Sequence, residues 1–448
     1  MLAASLCCGT RVSMAQNGGD NYVVIETSGG DYEGRWFFNV APYEAEFVPG
    51  CWVDWNNNGT EDEGEAITED DWMNSVENDM VSKRITIHGD ITYLSLYGLT
   101  LTDIDLSHTD VLDFLDVSGN LLENIDLSVN SSIKDLSIGD NPMSSVDLVN
   151  APKLRSLSMS MNQNITEVDL SAQDKLEEFI FTDNENIGSF DFSANPELKF
   201  IYLEAVPLKK IDLSPNTKLE ELNIAFTSLE DIKLPAGAPI KSIALHNNML
   251  SGTLDLSGYK NLTDIFFQNN NINKLVIDKD LKDLYIISCY MNDLQTDDFM
   301  PVIDNLYDRN GMDHGCIFMV DSEPLDEDTA DKNSLTTTAV DICMDKAWDT
   351  IDYAGANMYP YFGIDDDVTS VNHVHGKQRS IAVTEIAGQP AVKASADLIG
   401  RVLNVYDAGG NLLYTRRITS SLTLMPSLKD ADGTLLFNVG RETIKVLR

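Results

Sequence analysis

One segment of the sequence carries oxygen atoms at the spacing that a calcium ion requires. From Asp54 to Glu65 the chain reads DWNNNGTEDEGE, with Gly59 at the sixth position, where a calcium loop bends sharply. The Asn-Asn-Gly run is also typical of a hairpin turn, and residues 47–53 before it are predicted to form a strand, not a helix. The segment therefore predicts either a Ca²⁺ site or a simple turn. The candidate ligands are Asp54, Asn56, Asn58, Thr60, Asp62 and Glu65.

The sequence offers no comparable set of residues for catalysis. Its six histidines show no zinc-binding spacing, and no Ser-His-Asp or Cys-His set can be assembled from motifs. No glycine-rich phosphate loop follows a predicted strand. These observations favour a binding protein over an enzyme.

The charge balance limits the class of partner. The 448 residues include 72 acidic and 31 basic side chains, for a formal net charge of -41. Nucleic acids and anionic membranes are poor partners, because binding to phosphates requires clustered Lys and Arg. No run of 18 apolar residues occurs, so no transmembrane helix is predicted. A chain of this length is expected to form two or three folding units.

The elements that must position a binding site come from an internal repeat. An L-x-x-L-x-L frame recurs in steps of 21 or 22 residues, with a last step of 19, and the second half of many units reads I-D-L-S. One repeat cannot bury its own apolar edge, so neighbouring repeats must stack around a shared core. The ten frames open at Ile91, Leu112, Ile133, Leu154, Leu176, Leu198, Leu219, Ile240, Leu262 and Leu281.

This pattern resembles the leucine-rich-repeat family, and is similar to internalin-like surface proteins of the Bacteroidota, over roughly residues 85–350. The resemblance implies a solenoid of ten repeats of 21–22 residues, with a parallel β-sheet on its concave side. It also implies that an asparagine before each second half turns the chain off the strand. These asparagines are Asn120, Asn141, Asn162, Asn184 and Asn270.

Side chains that alternate with the inward leucines are predicted to point outward onto the concave sheet. Several of them are aromatic or aliphatic, which is costly on a wet surface and typical of binding sites. The alternative is that these rings only pack against neighbouring strands. The candidate partner-binding residues are Tyr93, Tyr97, Phe114, Ile180, Phe200, Tyr202, Phe266, Tyr285 and Ile287.

The aspartates of the I-D-L-S turns form a second regular series. They could line a cation stripe, or each could accept hydrogen bonds from the backbone of its own turn, a role that repeats because the turn repeats. The series is Asp105, Asp126, Asp147, Asp169, Asp191, Asp212 and Asp255.

Both ends of a solenoid need caps that cover its core. Residues 17–84 hold four of the five tryptophans and predict a β-rich N-terminal cap, and the repeats occupy residues 85–290. Residues 291–354 predict an α/β C-terminal cap: a helix from Thr296 with Pro301 in its first turn, a strand over 316–320, and a helix from Thr338 to Trp348. A linker is expected over residues 355–379.

The last segment, residues 380–448, changes in charge and pattern. It carries eight basic and six acidic residues, a net of +2 in a chain of -41, and its short alternating strands predict a small β-sandwich. It resembles the C-terminal sorting domain of the type IX secretion system. That resemblance implies export across the outer membrane of a Gram-negative bacterium and attachment to the cell surface.

The first 16 residues look like the end of a secretory signal, with small residues before Gln16. After its removal four cysteines remain, which permits disulfides; Cys316 with Cys343 is the pair to test. We therefore expect a secreted or surface-displayed adhesin, monomeric, that binds a protein partner through the concave face. The alternative is a glycan-binding module that uses the exposed Tyr and Phe of the same face.

Overall fold

The computed structural model describes residues 21–364 except 32, 44 and 325–330, and then the segments 381–386, 389–394, 402–407, 412–418, 422–424, 434–439 and 442–447. The chain divides into two compact units: unit 1 is Met1–Ile187 with Phe192–Pro196, and unit 2 is Gly188–Asp191 with Glu197–Arg448. The predicted signal segment and linker residues 365–379 lie outside the described residues.

The expected β-rich N-terminal cap is confirmed. Its core contains Trp36, Phe38 and Trp55, all buried. Residues 47–51 form no strand, contrary to expectation, because strand pairing in this segment begins only at Trp52. The elements are β1 (Tyr22–Thr27), β2 (Arg35–Phe38), β3 (Trp52–Asp54), α1 (Glu69–Met73), β4 (Val76–Asp79) and β5 (Arg84–His88).

The repeats form short strands of two kinds. Face strands follow the L-x-x-L-x-L frame, and return strands lie in the second half of some repeats. The face strands are β6 (Tyr93–Ser95), β8 (Phe114–Asp116), β9 (Asp135–Ser137), β10 (Ser156–Ser158), β11 (Glu178–Thr182), β12 (Phe200–Glu204), β14 (Glu221–Ala225), β16 (Ser242–Ala244), β18 (Asp264–Phe266) and β20 (Ile286–Ser288). The return strands are β7 (Leu101–Asp105), β13 (Lys210–Asp212), β15 (Asp231–Lys233), β17 (Ser251–Asp255) and β19 (Asn271–Val276).

The expected parallel solenoid is confirmed within each unit. In unit 1 the strands β6, β8, β9, β10 and β11 pair in parallel, in that order, and in unit 2 the strands β12, β14, β16, β18 and β20 do the same. The register places equivalent leucines side by side, so Leu94, Leu115 and Leu136 are buried in one row. The N-terminal cap joins unit 1 because β1 pairs with the return strand β7.

A row of buried asparagines ties the repeats together. Asn141 shows the pattern: its Nδ2 donates to the carbonyls of Val117 (2.9 Å) and Ile138 (3.2 Å), and its Oδ1 accepts from the N–H of Leu122 (3.0 Å). Its own N–H donates to Oδ1 of Asn162 (3.0 Å), the next member of the row. These amides donate hydrogen bonds to backbone carbonyls at the point where the chain leaves the face strand. Without them the carbonyls would be buried without partners.

A second row of buried amides was not anticipated from the sequence. In unit 1, Nδ2 of Asn130 donates to Thr109 O (2.6 Å), Nε2 of Gln173 donates to Leu148 O (2.7 Å), and Nδ2 of Asn195 donates to Leu170 O (3.0 Å). This row lies in the turns that follow I-D-L-S. Its amides donate hydrogen bonds to backbone carbonyls in the second half of the repeat, as the Asn141 row does in the first half.

The I-D-L-S aspartates act within their own turns. Oδ1 of Asp105 accepts from the N–H (2.9 Å) and the hydroxyl (2.6 Å) of Ser107, and the corresponding N–H bond forms at Asp126, Asp169, Asp212 and Asp255. Hydrogen bonds from Ser107 lower the pKa of the Asp105 carboxyl. Hydrogen bonding within each turn accounts for these five aspartates without a bound cation.

The C-terminal cap has more sheet than expected. Its second helix ends at Asp345, and Trp348 begins a strand instead of ending the helix. The Trp348 side chain packs beneath the sheet, where a Cβ added to Gly315 would lie 2.5 Å from the Trp348 ring. Two cap strands continue the parallel sheet beyond β20. The elements are α2 (Thr296–Asn305), β21 (Gly315–Val320), α3 (Thr337–Asp345), β22 (Trp348–Asp352), a 3-10 turn (Ala354–Ala356) and β23 (Tyr359–Pro360).

The four described cysteines, Cys51, Cys289, Cys316 and Cys343, are free thiols, so the structure does not join Cys316 to Cys343. Burial raises the pKa of Cys51 to about 11 and that of Cys343 to about 12. None of the helices in the described ranges is long and apolar enough to cross a membrane.

The C-terminal segment forms two antiparallel sheets, in the orders β24-β25-β28 and β27-β26-β29-β30. Val392 of the first sheet and Leu403 and Val405 of the second are buried. The antiparallel strands are those that the expected small sandwich requires. The first strand was not anticipated from the sequence. The strands are β24 (Ile381–Ile386), β25 (Gln389–Ala394), β26 (Val402–Asp407), β27 (Leu412–Arg417), β28 (Leu422–Leu424), β29 (Thr434–Val439) and β30 (Glu442–Leu447).

The buried amide row predicts a large cost for Asn141→Ala. The substitution leaves the Leu122 N–H buried without a partner, at about 1–3 kcal/mol. It also removes the bonds of Asn141 to the carbonyls of Val117 and Ile138, at about 0.5–1.5 kcal/mol each, although these carbonyls keep bonds from Asn120 and Asn162. We expect urea unfolding to show a loss of at least about 2 kcal/mol. The matched control is Asn164→Ala, which removes one exposed bond to Pro142 O (3.0 Å) and should change stability by less than about 0.5 kcal/mol. Equal losses in the two variants would contradict the role of the row.

Candidate partner-binding surface

The outward side chains of the face strands form a surface that we call the strand face. Along each strand the residues alternate, so Leu94 is fully buried while Tyr93 and Ser95 on either side are partly exposed. Because the strands pair in register, each outward residue lies beside its equivalent in the next repeat. Equivalent outward residues of successive repeats therefore form columns across the strand face.

In unit 1 the strand face begins with an aromatic group. Tyr93 and Phe114 are stacked, with ring centroids 4.1 Å apart and planes 6° from parallel, and Tyr97 beyond them is 68% exposed. Burial, with a smaller contribution from the Asp116 charge, raises the pKa of Tyr93. The cap covers the first strand edge through Asn39 and Ser95, whose backbones exchange two hydrogen bonds. We call Tyr93, Tyr97 and Phe114 the first aromatic patch.

Three further predicted residues lie on the strand face. Ile180 is half-buried in unit 1. In unit 2, Phe200 is half-buried and Tyr202 is 38% exposed, with its hydroxyl bonded to the Glu204 carboxylate. These side chains are available for contact and take no part in the shared core.

The predicted frame of the tenth repeat is wrong. Ile287 is fully buried, because it pairs in register with the inward Ile265, and Ile286 takes the outward position. The frame opens at Leu284 instead of Leu281, 22 residues after Leu262. Two leucines three residues apart both fit an L-x-x-L pattern, which explains the error. Tyr285 precedes the strand and is 44% exposed.

Unit 2 carries a second aromatic patch that extends onto the C-terminal cap. The register brings Phe266, Ser288, Phe318 and Ile351 side by side in one row across four strands. Ser288, between the two phenylalanines in this row, is buried. In the neighbouring column, the rings of Tyr290 and Tyr353 are stacked 4.7 Å apart. We call Phe266, Ile286, Tyr290, Phe318, Ile351 and Tyr353 the second aromatic patch.

Most of the second aromatic patch was missed in the sequence because its strands were assigned to the cap or set in the wrong register. The signal was present in the segment Cys316–Val320, since inward Ile317 and Met319 imply an outward Phe318. Burial raises the pKa of Tyr290 in this patch, with added contributions from Tyr353 and Asp321.

The predicted calcium ligands are engaged in hydrogen bonds of their own. Asp54 is 1% exposed, and its two carboxylate oxygens accept from the N–H groups of Asn58 (3.0 Å) and Gly59 (2.7 Å). The two oxygens of Glu65 accept from the N–H groups of Trp55 (3.0 Å) and Asp62 (2.8 Å).

The remaining loop side chains close the turn from outside. Nδ2 of Asn56 and Nδ2 of Asn58 donate to the same Asp62 oxygen (2.8 and 2.7 Å), and Thr60 donates to Asn58 Oδ1 (2.8 Å). The amides thus present nitrogen, not oxygen, toward the Asp62 carboxylate. Across the described ranges, no group of three or more His, Cys, Asp or Glu side chains is placed to hold a metal ion. The oxygens of the loop are engaged in these hydrogen bonds, and the calcium site stays a prediction of the sequence.

The parallel strands, the frame of inward leucines and the buried asparagine row define a parallel β-solenoid of the leucine-rich-repeat type. No family model and no curated protein matches the sequence. Among solved structures it is similar to the internalin InlF of Listeria monocytogenes, at 18% identity and a TM-score of 0.43, over 58% of this chain and 79% of that one. It is also similar to InlJ of the same organism (19% identity, TM-score 0.30, 77% and 74% covered) and to the LRIM1 leucine-rich-repeat domain (17%, 0.34, 44% and 64%).

The hydrogen bonds of Asp54 predict that Asp54→Ala destabilises the N-terminal cap even in EDTA. Two bonds to a buried carboxylate are lost, at about 1.5–3 kcal/mol each for bonds to charged groups. Thermal melts in EDTA should show a lower Tm, and the exposed Thr60→Ala is the control. The calcium interpretation further predicts that millimolar calcium raises the Tm of the wild type but not of Asp54→Ala. An unchanged Tm for Asp54→Ala in EDTA would contradict the buried hydrogen bonds.

The carboxyl of Asp331 predicts a pH dependence of stability. Its oxygens accept from the N–H groups of Met291 (2.7 Å), Asp321 (2.8 Å) and Asn333 (2.9 Å), yet burial raises its pKa to about 7. The folded chain therefore holds a proton at Asp331 that the unfolded chain releases near pH 4. The contribution of this one group to stability is greatest below pH 4 and falls as the pH rises to 7.

The slope for one such proton is at most about 1.4 kcal/mol per pH unit. Urea midpoints between pH 4.5 and 7.5 should fall more steeply for the wild type than for Asp331→Asn, which has no carboxyl to titrate at this position. Parallel curves for the two proteins would show that Asp331 does not titrate in this range.

Proposed function

We propose that the chain is a secreted or cell-surface recognition protein that binds a protein partner through the strand face. The second aromatic patch is the observation that supports this most directly. The rings of Phe266 and Phe318 are held on paired strands, so they cannot collapse into a core of their own. Aromatic side chains on a rigid sheet lose little conformational entropy on binding, and such residues carry most of the energy of protein interfaces.

Two exposed tyrosines of unit 2 support the same function. Tyr202 on the strand face and Tyr285, just before β20, are 38% and 44% exposed. A partner that covers the second aromatic patch would find further aromatic contacts in the same unit. The net charge of -41 favours partners without a strongly acidic surface.

A glycan is the second candidate ligand, and the first aromatic patch favours it. The stacked Tyr93 and Phe114 and the exposed Tyr97 offer flat apolar rings, and Ser95 and Asp116 supply polar groups beside them. Rings beside hydroxyl and carboxylate groups suit a sugar, which has apolar faces and polar edges. Protein and glycan binding therefore belong to different patches in this proposal.

The place of action follows from the two ends of the sequence. The signal-like residues 1–16 and the sorting-like residues 380–448 support export to the surface of a Gram-negative bacterium, with the repeats as the displayed part. We further propose that the protein acts as a monomer.

The partner-binding proposal predicts that Tyr202→Ala and Tyr285→Ala each weaken binding at least about tenfold, with little change in Tm. Each ring is partly exposed and outside the core, and truncation of an interface anchor costs about 2 kcal/mol or more. The full chain is first screened against purified extracellular proteins and a glycan array, and affinities are then measured by calorimetry.

The matched control is Asp169→Asn, which changes an I-D-L-S turn away from the strand face and keeps an acceptor for the Ser171 N–H. Its affinity should equal that of the wild type. If the tyrosine variants lose Tm but keep full affinity, the rings serve sheet packing and the proposal is wrong.

A further inference from the structure

Unit 2 contains a cavity on the side of the return strands, away from the strand face. The return strands pair as two separate sheets, β13 with β15 and β17 with β19. β15 and β17 belong to successive repeats but do not pair with each other. A cavity of about 520 Å³ lies between them. This volume falls within the range of small-ligand sites.

Hydrogen bonds link the two repeats at both ends of the cavity. At one end the N–H of Met249 donates to Leu229 O (2.9 Å), so the two repeats are in backbone contact just before the cavity begins. At the other end the hydroxyl of the buried Tyr259 donates to Pro235 O (3.1 Å). A site fixed at both ends is preformed, and a ligand need not order it.

The lining combines an apolar floor with acidic walls. The floor contains Leu250, Leu254 and Ile272, which are buried. The carboxylates of Glu230, Asp231 and Asp255 belong to the exposed part of the lining, and none of the described residues that line the cavity is basic. Hydroxyl groups complete the lining, at Ser251, Thr253, Ser257 and Tyr259.

Lysines lie near part of this set but outside the lining. Lys210 is the register partner of Asp231 on the neighbouring strand. The Lys233 ammonium lies 2.7 Å from the Asp212 carboxylate, whose hydrogen bond raises the pKa of Lys233, and the Asp231 charge adds to that rise. Asp255 has its pKa lowered first by hydrogen bonds from Ser257 and only last by the charge of Lys274. Three carboxylates therefore share the cavity without a lysine or arginine among its lining residues.

We propose that this cavity binds a primary ammonium or guanidinium group carried on an aliphatic stem. The stem would cover Leu250, Leu254 and Ile272, and the cation would meet the carboxylates of Asp231 and Asp255. A neutral ligand would remove water from these carboxylates without offering a counter-charge, and an anion would be repelled. Two sources share this chemistry: a free polyamine, and a Lys or Arg side chain of an extended peptide.

Methyl NMR of the full chain tests the proposal. The probes are spermidine and the capped peptide Ala-Ala-Lys-Ala-Ala, both in 0.15 M salt, where weak accumulation of cations around an acidic protein is screened (Debye length about 8 Å). We expect saturable shifts at the methyl groups of Leu250, Leu254 and Ile272. The tighter probe identifies the source, and a peptide with norleucine in place of lysine should not bind.

Two variants distinguish binding in the cavity from nonspecific attraction of cations to the acidic chain. Asp231→Asn with Asp255→Asn removes two charges but keeps an acceptor for the Ser257 N–H, and should weaken binding at least about tenfold. Thr253→Trp fills the cavity without a change of charge and should abolish the shifts. Asp169→Asn, at the same turn position as Asp255, is the matched control and should bind as the wild type does. Unmoved floor methyl groups with both probes, or equal affinity in the double variant, would overturn the proposal.

Discussion

The main constraint on the structure is that backbone carbonyls are buried where no neighbouring strand can donate a hydrogen bond to them. Each repeat leaves its face strand within a few residues, so its carbonyls point into the core without ladder partners. Asn141 and its equivalents donate to these groups and bond to one another from repeat to repeat. Neighbouring repeats are thus joined by side-chain amides as well as by leucines. Asn130, Gln173 and Asn195 provide the same links in the second half of the repeats in unit 1.

This constraint fixes the chemistry of the strand face. Because the inward positions are used for leucines and amides, the outward positions are free of structural demands other than sheet formation. Tyr93 and Phe114 at one end, and Phe318 and Ile351 on the cap, lie on strands that are already held in register. A binding surface on such a sheet needs no rearrangement of the backbone to meet a partner.

The two sides of unit 2 differ in physical character. The strand face presents aromatic rings, whereas the return side presents carboxylates above an apolar floor. The return strands pair only in part, and the gap between β15 and β17 is where the cavity opens. Irregular second halves of the repeats therefore produce a feature that a perfectly regular solenoid would lack.

The sequence by itself determined the repeat, the inward leucines, the amide row and the presence of caps, because each of these follows from local spacing. The tertiary structure decided the rest. Two L-x-x-L frames compete near Ile287, and pairing with β18 decided between them; pairing with β21 made a strand at Trp348. The hydrogen bonds that engage Asp54 and Glu65 form inside the folded loop, although the spacing of the same oxygens fits calcium. The second aromatic patch and the cavity arise only when separate repeats are placed side by side.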